Sequence, residues 1–107
     1  MKVFVRSKDP EVDREVRDHV ERRLQFSLGR FSDTIGRVNV RIVDINGPRG
    51  GEDKVCRIEV RLRPTGTVFV EDSDAVVTAA VDRAAGRTAR AVARTLGRQA
   101  GWRACAA

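Results

Sequence analysis

The chain has 107 residues, enough for one domain with one core and too few for two. With 41% hydrophobic and 34% charged residues it has the apolar content to fold, and no apolar run is long enough to span a bilayer. The net charge is +6, and 18 of the 21 basic residues are arginine, which directs attention to where that charge lies.

Residues 2–6, KVFVR, are β-branched and aromatic and read as a short strand. Asp9-Pro10-Glu11 then reads as a helix start, with Asp9 as the cap and Pro10 in the first turn. Val12, Val16, Val20, Leu24 and Leu28 recur every four residues, which predicts a helix from about 10 to about 28 with one apolar stripe. Gly29 is a plausible stop, and Phe31 is placed to pack back onto the core.

Val38, Val40 and Ile42 alternate with polar residues and predict a half-buried strand. Residues 46–53 contain three glycines and read as a mobile loop. Cys56, Ile58, Val60 and Leu62 alternate in the same way, Pro64-Thr65-Gly66 marks a turn, and residues 67–71 form a further strand. Asp72, Ser73 and Asp74 are cap candidates for a final helix, whose buried side runs through Val77, Val81, Ala84, Thr88, Val92 and Leu96. Gly97 and Gly101 weaken its end, so 99–107 is expected to fray, leaving 1–98 as a single domain.

The order is strand, helix, three strands, helix. A half-buried antiparallel sheet needs a cover for its apolar face, and two amphipathic helices supply it. The fold class is therefore α+β, in two layers: a four-stranded sheet with two helices packed on one face and the other face open.

The charge is concentrated in the final helix. Residues 1–82 hold 15 basic and 15 acidic side chains, whereas 83–107 hold six arginines and no acid. Arg83, Arg87, Arg90, Arg94 and Arg98 are spaced 4, 3, 4 and 4 apart and fall within an arc of about 80°. An ordinary solvated face mixes signs. Here four successive neighbour pairs are like-charged, at a cost of roughly 1–2 kcal/mol in isolation. A ridge of this kind, about 22 Å long, suits a tract of sugar-phosphate backbone. Arginine suits phosphate because its planar fork binds two oxygens at once.

On the first helix most basic residues interleave with acids and are expected to pair within the helix. Arg22, Arg23 and Arg30, near its less acidic end, are candidates for a second contact. Arg41, Arg57 and Arg61 give the open sheet face a weaker basic surface, tempered by Glu59. There is no Tyr, Trp102 lies in the tail, and Phe4, Phe31 and Phe26 are assigned to packing at or near the core. That leaves no platform for stacking bases, so shape and phosphate are read rather than base identity.

The single histidine, His19, reads as a helix-boundary residue rather than a catalyst. One His and two distant cysteines, Cys56 and Cys105, cannot build a zinc site, and they form no disulfide framework. No Gly-rich phosphate loop and no local nucleophile signature is present. An enzyme, a cofactor and a small-molecule substrate are not expected. The N-terminus does not read as a secretory signal, and the cysteine usage suits a reducing, cytoplasmic compartment.

Three stretches resemble a known family. They are 16–24 followed by Arg30-Phe31, then 56–62 with 68–71, and above all Asp74 through Arg94. In the last, Thr78-Ala79-Ala80-Val81-Asp82 stands where the family has an aromatic-Ala-Ala-Ile-Asp segment before a basic helix. Over residues 1–98 the chain resembles the bacterial ribosome hibernation-promoting factors, which include protein Y, or ribosome-associated inhibitor, and are also known as sigma-54 modulation proteins. The resemblance implies a fold similar to a double-stranded-RNA-binding domain. It also implies docking on the small ribosomal subunit and its rRNA, in the channel used by messenger and transfer RNA, so that idle ribosomes are kept from translating under stress. Carried over by position, it assigns RNA contact to Arg83, Arg87, Arg90 and Arg94, and more loosely to Arg22 and Arg23. The chain departs from the family at Thr78, in an all-arginine helix, and in a longer segment at 47–53; without the dimerising domain of the long forms it would act as a short form. The other readings are a general structured-RNA-binding domain and a protein-interaction module for an acidic partner, with the chain a monomer or weak dimer.

Overall fold

A computed structural model describes the backbone of residues 1–45 and 54–106 and the side chains of 1–45 and 54–99. The expected glycine-rich loop at 46–53, Trp102 and Cys105 lie outside the described residues and side chains. The elements are β1 (Lys2–Ser7), α1 (Arg14–Leu28), a 3-10 turn (Gly29–Thr34), β2 (Ile35–Asp44), β3 (Lys54–Leu62), β4 (Thr67–Asp74) and α2 (Val77–Ala106). They form one four-stranded sheet in the order β1-β2-β3-β4. Strands β2, β3 and β4 make the expected antiparallel meander. The sheet is mixed rather than wholly antiparallel, because β1 reaches β2 through a helical crossover and so runs parallel to it.

Both helices lie on one face, α1 beside β1 and α2 over β3 and β4, with the two helices in contact. Strand alternation then decides which side chains are buried. Val38, Val40, Ile42, Cys56, Ile58, Val60 and Leu62 point under the helices and join Val20, Leu24 and Leu28 of α1 and Val81, Ala84, Ala85 and Val92 of α2 in one core. Thr88 is buried among them and donates its hydroxyl to the Ala84 carbonyl at 2.7 Å. Burial, and secondarily the Asp72 charge, pushes the Cys56 thiol up to about 12, which leaves it inert at neutral pH. Phe31 packs against the core as expected.

Several expectations need correction. Helix α1 starts at Arg14, not near Pro10, because Asp13 rather than Asp9 accepts the capping bond from the Val16 N–H at 3.0 Å. Asp72 and Ser73 do not cap α2: pairing with β3 extends β4 to Asp74, and Asp74 alone accepts from the Val76 N–H, at 2.9 Å. Helix α2 runs from Val77 to Ala106, through Gly97 and Gly101. Phe4 and Phe26 are not in the core; they are 40% and 82% exposed. On β1 it is Val3 and Val5 that face the helices, which turns Phe4 outward. Phe26 lies six residues after Val20, about 240° round α1 from the buried row. The expected pairing within α1 gives way to longer reaches: Arg17 donates to the Val5 carbonyl at 2.8 Å, and Arg23 approaches Asp82 of α2.

Asp9 has another role. Lys54, only 3% exposed, donates to Asp9 at 2.6 Å and Asp44 at 3.0 Å, and lies 3.2 Å from Glu11. Burial alone would lower the lysine's pKa; the bonds to Asp9, Asp44 and Glu11 outweigh it and hold the pKa above its ordinary value. One buried cation thus ties the β1–α1 connection to the facing ends of β2 and β3. Replacing Lys54 with Ala leaves the buried Asp9 carboxylate without its cation and is expected to cost about 3–5 kcal/mol, measured by urea unfolding. A change within experimental error would contradict this role.

Candidate nucleic-acid interface

Helix α2 carries its five arginines along one exposed side, as their spacing predicts. The structure divides them into two groups. Arg83 donates to Asp72 at 3.2 Å, to the Ser73 carbonyl at 2.9 Å and to Asp74 at 2.7 Å. Arg87 donates to the Glu71 carbonyl at 2.8 Å and to the other Asp72 oxygen at 3.1 Å. The end of β4 therefore neutralises the first part of the ridge while leaving both guanidiniums about half exposed.

Arg90, Arg94 and Arg98 extend beyond those acids and are exposed. Among the described residues no carboxylate pairs with any of them; Arg98 only approaches the Thr95 hydroxyl, at 3.5 Å. They form a row of uncompensated charge about 12 Å long.

The pairing sets the protonation of the β4 acids. Burial would raise the Asp72 pKa, but the Ser73 N–H, Arg87 and Arg83 together hold it below the ordinary 3.8. Asp74 is lowered by the Val76 N–H first and Arg83 second. Arg83 is raised in turn by Asp74 and Asp72.

On α1, Arg22 is exposed, in a shallow surface with Asp18, Glu21 and Gln25. Arg23 lies over Phe26, 5.8 Å from the ring centroid, with its Nε 3.7 Å from Asp82, beyond hydrogen-bond reach. Arg30 stacks on Phe31 at 4.6 Å. His19 bonds Asp82 at 2.7 Å and joins the two helices, a partnership that nothing local could reveal across 63 residues. Arg22, Arg23 and Arg30 thus share the helical layer with the ridge, and each has its own surroundings. The sequence reading also missed cations on the open sheet face, where β-strand register adds Lys2, Arg6 and Arg37 to Arg41, Arg57 and Arg61. Among the described residues no group of three His, Cys, Asp or Glu side chains is placed to hold a metal ion.

The arrangement defines a class: a two-layer α+β domain whose second helix displays arginines that its own fold only partly neutralises. The chain belongs to the family described as sigma 54 modulation protein / S30EA ribosomal protein, whose profile matches residues 3–100. That family is one of ribosome-associated factors and is not known as a family of enzymes. Among solved structures, the N-terminal domain of Thermus thermophilus Protein Y is similar, with 32% identity, a TM-score of 0.67, and coverage of 88% of this chain and 94% of that one. A ribosomal subunit interface protein from Coxiella burnetii shares the fold, at 16% identity and a TM-score of 0.73, with coverage of 91% and 99%. No match was found among curated proteins.

The lowered Asp72 and Asp74 values give a pH dependence of known sign. Their stabilisation is complete above the ordinary carboxylate range and is lost as pH falls through their lowered folded values. The Asp72→Asn/Asp74→Asn variant is expected to be less stable than wild type at neutral pH. The gap should narrow as pH falls below about 4 and close once pH lies beneath the lowered folded values, because the wild type then loses the same interactions. Urea unfolding across pH checks this; parallel stability profiles would refute it.

Proposed function

We propose that residues 1–98 act as a single ribosome-associated domain that docks on the small ribosomal subunit and silences translation by occupying the channel for messenger and transfer RNA. The observation that carries this reading is the uncompensated row Arg90, Arg94 and Arg98, continuing from the half-exposed Arg83 and Arg87. Such a row fits phosphates along an RNA backbone and binds them without reading sequence. Family membership and the likeness to the Protein Y domain supply the ribosomal context. Arg22, Arg23 and Arg30 add a second, weaker contact from α1. The work is done by occupancy and exclusion in the cytoplasm, with no catalysis and no cofactor. No helix among the described residues is long and apolar enough to cross a membrane.

Co-sedimentation with separated subunits and whole ribosomes tests the proposal. Wild-type protein is expected to migrate stoichiometrically with the small subunit and with whole ribosomes, and the Arg90→Glu/Arg94→Glu variant to remain at the top of the gradient. Equal retention of wild type by unrelated duplex RNA competing at similar concentration would instead favour a general structured-RNA binder. Absence of wild type from the ribosomal fractions at near-physiological salt would refute the reading.

A further inference from the structure

The face of the sheet opposite the helices carries an independent charged surface. In the parallel register of β1 and β2, Lys2 stands beside Arg37, Phe4 beside Asn39, and Arg6 beside Arg41. Lys2, Phe4, Arg6, Arg37 and Arg41 are all exposed. The other half of the sheet is internally neutralised: Arg57 pairs with Glu71 at 2.8 Å and Arg61 with Glu59 at 3.3 Å. Among the described residues no carboxylate pairs with Lys2, Arg6, Arg37 or Arg41. The uncompensated charge is therefore confined to β1 and β2, with one aromatic ring at its centre.

Strand geometry sets the spacing. Residues two apart on one strand lie about 7 Å apart, so Phe4 sits midway between two cation pairs separated by about 14 Å. The Arg37 guanidinium lies over the Phe4 ring, 5.2 Å from its centroid, and so covers one of its two faces. Past Arg6 and Arg41 the surface runs into a cleft that Lys8 also lines, and the cleft's acids Asp9 and Asp44 are bound to Lys54.

We propose that this half-sheet is a second RNA-binding surface, specific for single-stranded RNA. One base stacks on the face of Phe4 opposite Arg37, the phosphate on one side is held by Lys2 and Arg37, and the phosphate on the other by Arg6 and Arg41. Base–aromatic stacking between cationic flanks is a sequence-tolerant way to hold a single strand. A duplex keeps its bases inside and cannot present one to Phe4, while an acidic peptide has no use for the ring. Because the helices occupy the opposite layer, the α2 ridge and this surface can engage RNA at the same time. The inference goes beyond the small-subunit reading and does not need ribosomes to be tested.

The experiment is fluorescence anisotropy of a labelled short oligouridylate with the full chain, alongside amide chemical-shift mapping. Phe4→Ala and Arg6→Glu/Arg41→Glu are each expected to weaken oligouridylate binding roughly tenfold. Phe4→Trp should retain binding, which keeps the test informative if Phe4→Ala folds poorly. Heparin binding should be unchanged by Phe4→Ala, and shifts on adding oligouridylate should include β1 and β2. The proposal is overturned if only Arg90→Glu/Arg94→Glu weakens the oligouridylate, or if the shifts are confined to α2. It is equally overturned if Phe4→Ala weakens heparin as much as oligouridylate, or if polyglutamate rather than RNA shifts β1 and β2.

Discussion

Beyond Asp82, helix α2 contains no acid, so nothing within it offsets the repulsion among its arginines. The offset comes from another element. Asp72 and Asp74, at the end of β4, take up Arg83 and Arg87 and draw the start of α2 against the sheet edge. The strand must extend to Asp74 for this to happen, and its pairing with β3 extends it that far. A ridge that would be unfavourable as an isolated helix is thereby anchored where it leaves the sheet and left uncompensated further along. The same acids orient two guanidiniums without hiding them. The fold thus separates an anchoring part of the ridge from a binding part.

The two-layer architecture supplies the second half of the design. One face of the sheet is consumed by the helices, and its buried residues are almost entirely valine, isoleucine, leucine and alanine. Charge is thereby forced to the outer helix surface and to the open sheet face. Two fixed points keep these surfaces in register. His19 and Asp82 join the helices, and Lys54 gathers Asp9, Asp44 and Glu11 at one end of the sheet. Both links hold the elements that carry the proposed RNA contacts, and Asp82 also lies 3.7 Å from Arg23.

Element order, the meander, the apolar stripes of both helices and the arginine arc were legible in the sequence because each is a local periodicity. The long-range pairings were not. Asp9 looks like a helix cap in its local setting, and only the fold brings Lys54 to it from 45 residues away. Asp72 looks like a cap in the same way until β-pairing places it beside α2. Phe4 was misassigned because a short alternating run, VFV, does not declare which parity faces inward. The valines win here, placing the phenylalanine on the open face. Arg90, Arg94 and Arg98 could not be told apart from Arg83 and Arg87 by spacing, since the difference lies entirely in what β4 contributes.

The central claim is that arginines of α2 hold RNA phosphates. The most direct test is the salt dependence of affinity for isolated small subunits, compared between wild type and single Arg90→Gln, Arg94→Gln and Arg57→Gln variants. Each lost phosphate contact should flatten the plot of log affinity against log salt by about 0.7–0.9. The account predicts that flattening for Arg90→Gln and Arg94→Gln and an unchanged slope for Arg57→Gln, whose guanidinium is already paired with Glu71. Slopes identical to wild type for both α2 variants would contradict it.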